Sequence, residues 1–448
     1  MVVVAGALVL AGAVAASVAA ARGPSPTTTT SPTTTTSVPT TVPQPTWRVA
    51  WGSAMAWGYG VAVNTTVRDV VQVGVGGSAI RIRISNVFGN APLVVGAATL
   101  AQSAGGPRIV PGTMMPVEFS GAPTATIPAG QLLLSDPVSL AVTPRESLAV
   151  SLYVSNPELV TVHPCCTSVR SFSGPNNSGN QAGSPDGKGL TIADGWERWV
   201  DAVDVLQTGG TGSIAVLGDS ISDGFNATDN WVSVLQQRID GLPASEQRAV
   251  INEGISANAL TSVVHTDSLV GGGPSGLERL TRDVTSQAGV TEVVLELGTN
   301  DLYFGANAAQ LIQGYQQIVQ AAHAAGLRIV AVTLLPRAAN PKEAWVPAEQ
   351  AELDQIDAWI RTSNAFDGVI DLAPVVADVY NGDCATNMLF PAYDSGDHLH
   401  PSAAGATAMA NAVDGTVLQL GHLPQVPALV AVTKTRNCNA ALAPAPSP

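Results

Sequence analysis

A doubly wound α/β fold with a parallel sheet, preceded by an all-β domain, is what this sequence predicts, on three observations. From Gly212 onward, short apolar runs alternate with amphipathic helical segments, the pattern of a parallel sheet covered on both faces. From Trp47 to Leu206, short alternating runs are separated by Gly, Pro, Asn and Asp clusters, with no convincing helix. The third is composition: of 448 residues only 12% are charged, and 44 are Gly and 31 Pro. Such a chain suits short strands and tight turns better than long solvated helices.

Residues 1–22 are almost wholly Ala, Val, Leu and Gly, ending in Ala19-Ala20-Ala21 before Arg22. Small residues at that boundary suit a signal peptide, and about twenty apolar residues could also serve as an N-terminal anchor. Both readings mean export, giving a secreted or cell-surface protein. Residues 23–46 are Thr, Pro and Ser with little that could pack, an extended linker that would hold the following body away from a membrane or wall. In an exported chain, Cys165, Cys166, Cys384 and Cys438 suggest disulfides with three connectivities open, among them Cys384–Cys438 with Cys165–Cys166. Residues 426–448 form a Pro/Ala-rich tail. The net charge of −14 and pI near 4.7, without a Lys or Arg run, exclude nucleic acid as a partner.

Residues 47–206 read as a β-sandwich of jelly-roll type. Its strand candidates are Val70–Val75, Ile80–Ile84, Leu93–Ala98, Thr124–Ile127, Leu132–Leu134 and Leu148–Val154. In Ile80-Arg81-Ile82-Arg83-Ile84, Ile falls on one face and Arg on the other, as in a half-buried strand. The stretch from Cys165 to Gly187 reads as a long loop. This domain would buttress the rest of the chain; carbohydrate binding is the other reading.

Residues 207–425 carry the α/β pattern. Parallel strands are expected at Ile214–Leu217, Ala249–Asn252, Glu292–Leu297, Ile329–Leu334 and Gly368–Asp371. Leu311, Tyr315, Ile318, Val319 and Ala322 make one apolar helical stripe, closed by Gly326. A second helix opens at Val346-Pro347 and carries Leu353, Ile356, Asp357 and Ile360. Pro401 starts a last helix through Ala404, Met409 and Val413.

Chemistry-bearing residues follow strands or lie near the end of the chain. Ser220, in Gly218-Asp219-Ser220, stands where open α/β sheets build sites, at the carboxyl end of a strand. Gly254 offers a backbone N–H with no side chain in the way, suited to an oxyanion, although a tight turn would also ask for glycine. Asn300 carries an amide that can donate to an oxyanion or cap a helix, with Asp301 as a structural partner. Asp397 and His400, three apart in Tyr393-Asp394-Ser395-Gly396-Asp397-His398-Leu399-His400-Pro401, form the carboxylate–imidazole half of a serine triad. His398, one residue from Asp397, is the less suited base. A metal site from Asp394, Asp397, His398 and His400 is the rival, without zinc-like spacing elsewhere.

Taken together, the Gly-Asp-Ser block at Ser220, the glycine block at Gly254, the Gly-x-Asn-Asp block at Asn300 and the Asp-x-x-His block at Asp397 and His400 resemble the SGNH (GDSL-type) hydrolase family. Gly273 to Arg279, Tyr393 to Pro401, and Arg81 to Gly89 are similar to the branch of XynE-like acylhydrolases, many of which carry an N-terminal β domain. Ser256-Ala257-Asn258-Ala259 departs from that branch, where Gly-Asn-Arg is common. The resemblance implies a flavodoxin-like three-layer α/β/α hydrolase. Ser220 would be the nucleophile, His400 the base and Asp397 its orienting acid, with Ser220, Gly254 and Asn300 as oxyanion hole and no cofactor or metal. It implies a secreted serine esterase acting on an ester substrate, foremost an acylated polysaccharide that it deacetylates. A lipase or arylesterase is the alternative, and a non-catalytic glycan-binding wall protein the remote one.

Overall fold

The computed structural model describes residues 44–164, 170–225, 230–262, 264–265, 272–337, 347–378 and 388–430. The expected leader, the four cysteines, nearly all of the linker and most of the tail lie outside the described residues.

Three antiparallel sheets occupy the first half. Pro45–Gly52, Val200–Thr208, Ile80–Ser85 and Leu132–Leu134 form one, and Trp196–Arg198, Glu158–Pro164 and Trp57–Ala62 a second. In the third, Ile192–Asp194, Ser171–Ser173, Thr65–Gln72, Ser147–Val154, Leu93–Gln102 and Met115–Pro116 lie side by side, with Ala125–Ile127 also pairing Leu93–Gln102. The first and third sheets share one core, in which Ile80, Ile82 and Ile84 meet Val67, Val71, Leu148, Val150 and Leu152, consistent with a sandwich.

Two expectations need correcting here. The opposite face of Ile80–Ser85 is only partly solvated: Arg81 stays partly exposed, but Arg83 is buried in a two-pronged pair with Asp201, at 2.8 and 3.1 Å, beside Arg282 and Ser286 of the second half of the chain. The fork geometry of guanidinium and carboxylate lets this charge be buried. The stretch from Cys165 to Gly187 is not all loop, because Ser171–Ser173 pairs with Thr65–Gln72 and Ile192–Asp194. Its serines hide the usual apolar signature of a strand.

The change to parallel pairing falls between Thr208 and Ser213. Five parallel strands lie in the order Val250–Asn252, Ser213–Gly218, Val290–Glu296, Arg328–Val332 and Gly368–Ile370, which is 2-1-3-4-5 in chain order. Alternate residues serve the two faces. Ala215 and Leu217 pack with helices α5 (Ala308–Ala324) and α6 (Pro347–Thr362). Ile214 and Val216 pack with α2 (Trp231–Ile239) and α8 (Ala403–Ala412). The last helix starts at Ala403, two residues later than expected from Pro401, because Ser402 is its N-cap and accepts from the Gly405 N–H. Chain order reverses between the first and third strands, and that switch point is where a crevice opens beyond the strand ends.

Candidate active site

Ser213–Gly218 delivers the chain to that crevice. Asp219 then caps the short helix α1 (Ser220–Asp223), its Oδ1 accepting from the Ile221 N–H at 2.9 Å. Ser220 is therefore the first residue of α1, and its N–H has no acceptor among the described residues, as expected for a first helical turn. Its side chain sits at the carboxyl end of the strand with only 7% of its surface exposed.

His400 and Asp397 arrive from the turn before α8. Asp397 Oδ1 accepts from the N–H groups of Leu399 and His400 at 3.0 and 2.8 Å, which folds the turn around the carboxylate. Asp397 Oδ2 lies 2.6 Å from His400 Nδ1, and His400 Nε2 lies 2.8 Å from Ser220 Oγ. Ser220, His400 and Asp397 thus form one continuous chain of hydrogen bonds. Burial would raise the Asp397 pKa, but its bonds to the His400 ring and backbone hold it well below the usual carboxylate range. The Phe225 ring stands 4.9 Å from the imidazole and covers one side of it. His398 is turned away, its Nδ1 2.5 Å from Asp394 Oδ2. The four residues weighed as a metal set are thus divided into two separate acid–imidazole pairs.

Asn300 lies in the first turn of α4 (Thr299–Tyr303), after the third parallel strand. Its Nδ2 donates to Asn258 O at 2.9 Å and, more weakly, to Asp219 Oδ2 at 3.3 Å. Asp301 accepts from the N–H groups of Leu260 and Thr261 and from Thr261 Oγ1, pinning the end of the loop that starts at Asn252.

Gly254 is placed beside α1, but its N–H is engaged, donating to Asn252 Oδ1 at 3.0 Å. A Cβ there would stand 2.6 Å from Asp223 N and 3.0 Å from Asp219 O, so close packing of two backbones already requires glycine. In the same loop, Ala257 stands out in the sequence only as part of a departure from the XynE-like pattern, without a role. It adopts φ 59°, and its N–H has no acceptor among the described residues. The available signal was the alanine standing where the XynE-like branch commonly has glycine, the residue suited to positive φ.

Buried charges hold the floor of the site. Arg279 spans it, donating to Asn258 Oδ1 at 3.0 Å, Glu253 O at 2.6 Å and Gly218 O at 2.9 Å. Ser222 Oγ donates to Glu296 Oε2 at 2.8 Å and accepts from Trp231 Nε1 at 3.1 Å. Burial pushes Asp219 up to about 7, against the Ile221 N–H and the charges of His400 and Arg337.

Residues 216–408 match the model of the GDSL-like lipase/acylhydrolase family. No curated protein matches the chain. Among solved structures it is similar to an aryl esterase of M. smegmatis, at 18% identity over 47% of this chain and 99% of that one, with a TM-score of 0.37. It is similar to a GDSL-like lipase from Bacteroides thetaiotaomicron VPI-5482, at 18% identity over 47% and 89%, with a TM-score of 0.36. An acetylxylan esterase from Geobacillus stearothermophilus is similar at 19% identity over 46% and 93%, with a TM-score of 0.35. With its family model matched across the strand–helix core just described, the chain carries a GDSL-like lipase/acylhydrolase domain and is a carboxylic-ester hydrolase.

Proposed function

We propose that the protein is an exported serine esterase that removes acetyl or other short acyl groups from polysaccharide through an acyl-enzyme on Ser220. The observation that carries the mechanism is the unbroken hydrogen-bond chain Ser220–His400–Asp397. His400 Nε2 takes the proton as Ser220 Oγ attacks the ester carbonyl, and Asp397 fixes the ring tautomer and stabilises the imidazolium. The Ser220 N–H and the Asn300 amide receive the oxyanion; Gly254 joins them only when its bond to Asn252 Oδ1 is released. The alcohol leaves with the proton from His400, and water deacylates the serine with His400 again as base. No step requires a cofactor.

A sugar substrate is supported by the surface one turn beyond Asn300. Tyr303 and Phe304, 51% and 48% exposed, pack edge to face. Phe304 lines a cavity of about 430 Å³ together with Gln310, Gln313, Gln317, Thr261 and Ser262. Aromatic rings beside amides and hydroxyls suit a sugar ring better than a long acyl chain. The antiparallel half, a jelly-roll sandwich in this reading, buttresses the hydrolase. Export is read from the apolar residues 1–22 and the Thr/Pro-rich linker behind them.

The test is hydrolysis of p-nitrophenyl esters from acetate to palmitate, beside acetate release from acetylated xylan, with wild type and Ser220→Ala in parallel. Acetate preference with release from xylan is expected, and loss of both in a folded Ser220→Ala. Long-chain or aryl preference with xylan untouched would replace this reading with a lipase or arylesterase. Full activity in Ser220→Ala would remove the nucleophile assignment.

A further inference from the structure

The far end of α1 is held from the antiparallel half of the chain. His163, in the strand Glu158–Pro164, is 4% exposed, and its Nε2 lies 3.3 Å from Asp223 Oδ1, across 60 residues of sequence. Its Nδ1 lies 2.8 Å from Ala54 O. A carbonyl and a carboxylate both only accept, so the ring satisfies both by carrying two protons, as imidazolium. Asp223 in turn grips the loop beside the site: its Oδ2 accepts from Ser256 Oγ at 2.6 Å and from Ser256 N at 3.0 Å. The Asp223 N–H donates to Asp219 O at 2.8 Å, inside the turn that presents Ser220.

We propose that His163 is a positioning residue for ester hydrolysis: through Asp223 it fixes both the helix that presents Ser220 and the loop of Ser256 and Ala257. The proposal rests on Ser220 being the nucleophile. His163 touches neither substrate nor reacting atoms. It makes the antiparallel half part of the catalytic apparatus, because a charge supplied by one half sets the geometry of the nucleophile in the other. The ionisable groups facing the ring are Asp223 from α1 and Glu197 from Trp196–Arg198, with Arg170 3.9 Å beyond Glu197. Burial alone would lower the His163 pKa. The charge and hydrogen bond of Asp223, with Glu197 and Ala54 O, more than offset it and raise it to about 9. The clamp is therefore closed at lower pH and is released as pH rises through that value.

Two variants test this in the full chain, with p-nitrophenyl acetate turnover and the rate of Ser220 labelling by a fluorophosphonate as readouts. His163→Gln should lower kcat and the labelling rate roughly 10–100-fold with KM little changed, while circular dichroism shows the fold retained. In Asp223→Asn the amide can donate to a neutral His163 ring, so that contact no longer needs the second ring proton. The fall in wild-type kcat/KM as pH rises through about 9 should then be absent. Unchanged kcat and labelling in a folded His163→Gln would overturn the proposal. So would an alkaline fall identical in wild type and Asp223→Asn, a comparison that remains decisive if His163→Gln does not fold. Absence of labelling in the wild type would instead overturn the assignment of Ser220.

Discussion

At the scale of single residues, Asp397 is the carboxylate bonded to the His400 ring, and in the proposed mechanism it orients that imidazole. Asp397→Asn offers a donor to His400 Nδ1 and favours the wrong tautomer, so kcat should fall about 10³–10⁴-fold with the fold kept. Because the Asp397 pKa is depressed in the folded state, its contribution to stability is present above the unfolded value of about 4 and is lost as pH falls through the lower one. The difference in Tm between wild type and variant, measured from pH 7 downward, should therefore close in acid. A constant difference would mean that the pair does not titrate as described. Ala257 gives a second prediction. With φ 59°, Ala257→Gly relieves a left-handed side chain and should raise stability by up to about 1 kcal/mol, read from urea unfolding midpoints. The hydrogen-bonded trio was legible because Ser220 follows a strand and Asp397 and His400 stand three apart in one turn. His163 was not: a lone histidine in a strand carries no mark of a partner 60 residues away, and Gly254 gives no sign in sequence that its N–H is already engaged.

At the scale of elements, the first parallel strand was the most legible because Ile214 to Leu217 is an uninterrupted apolar run buried on both faces. Antiparallel strands built from serine or carrying buried arginine were harder, since ion pairs and neighbouring sheets decide their burial rather than local pattern. Helix α4 depends on a similar hidden constraint. Its N-cap Gly298 has φ 133°, and a Cβ there would fall against Tyr315 Oη and 2.9 Å from Leu311 Cδ2. Gly298→Ala should therefore cost about 1–3 kcal/mol. It should also lower kcat by about tenfold, as Asn300 two residues on is displaced. Thermal unfolding and turnover measured together check it, and a Tm within error of wild type would count against it.

At the scale of the molecule, the described residues from 44 to 430 belong to one compact unit, and the two kinds of sheet share interior. Val49 and Ala202 belong to the core of Ala215, Leu217 and Ile251. Ser213 Oγ donates to Val49 O at 2.7 Å, and Arg282 reaches Met55 O at 2.7 Å. A chain starting at residue 207 should fail to fold to a native state, giving weak near-ultraviolet circular dichroism and no turnover; a well-folded, active fragment would contradict this. The parallel bridge between Ser53 and Asn252 has a further consequence. Val250–Asn252 is one of the two edge strands of the parallel sheet, and an open strand rim invites pairing with other copies. By laying its own first strand against that rim, the antiparallel half acts as a built-in guard against aggregation. Mutations that loosen this strand should thus betray themselves first as loss of solubility during expression, ahead of any change in how the enzyme handles its ester.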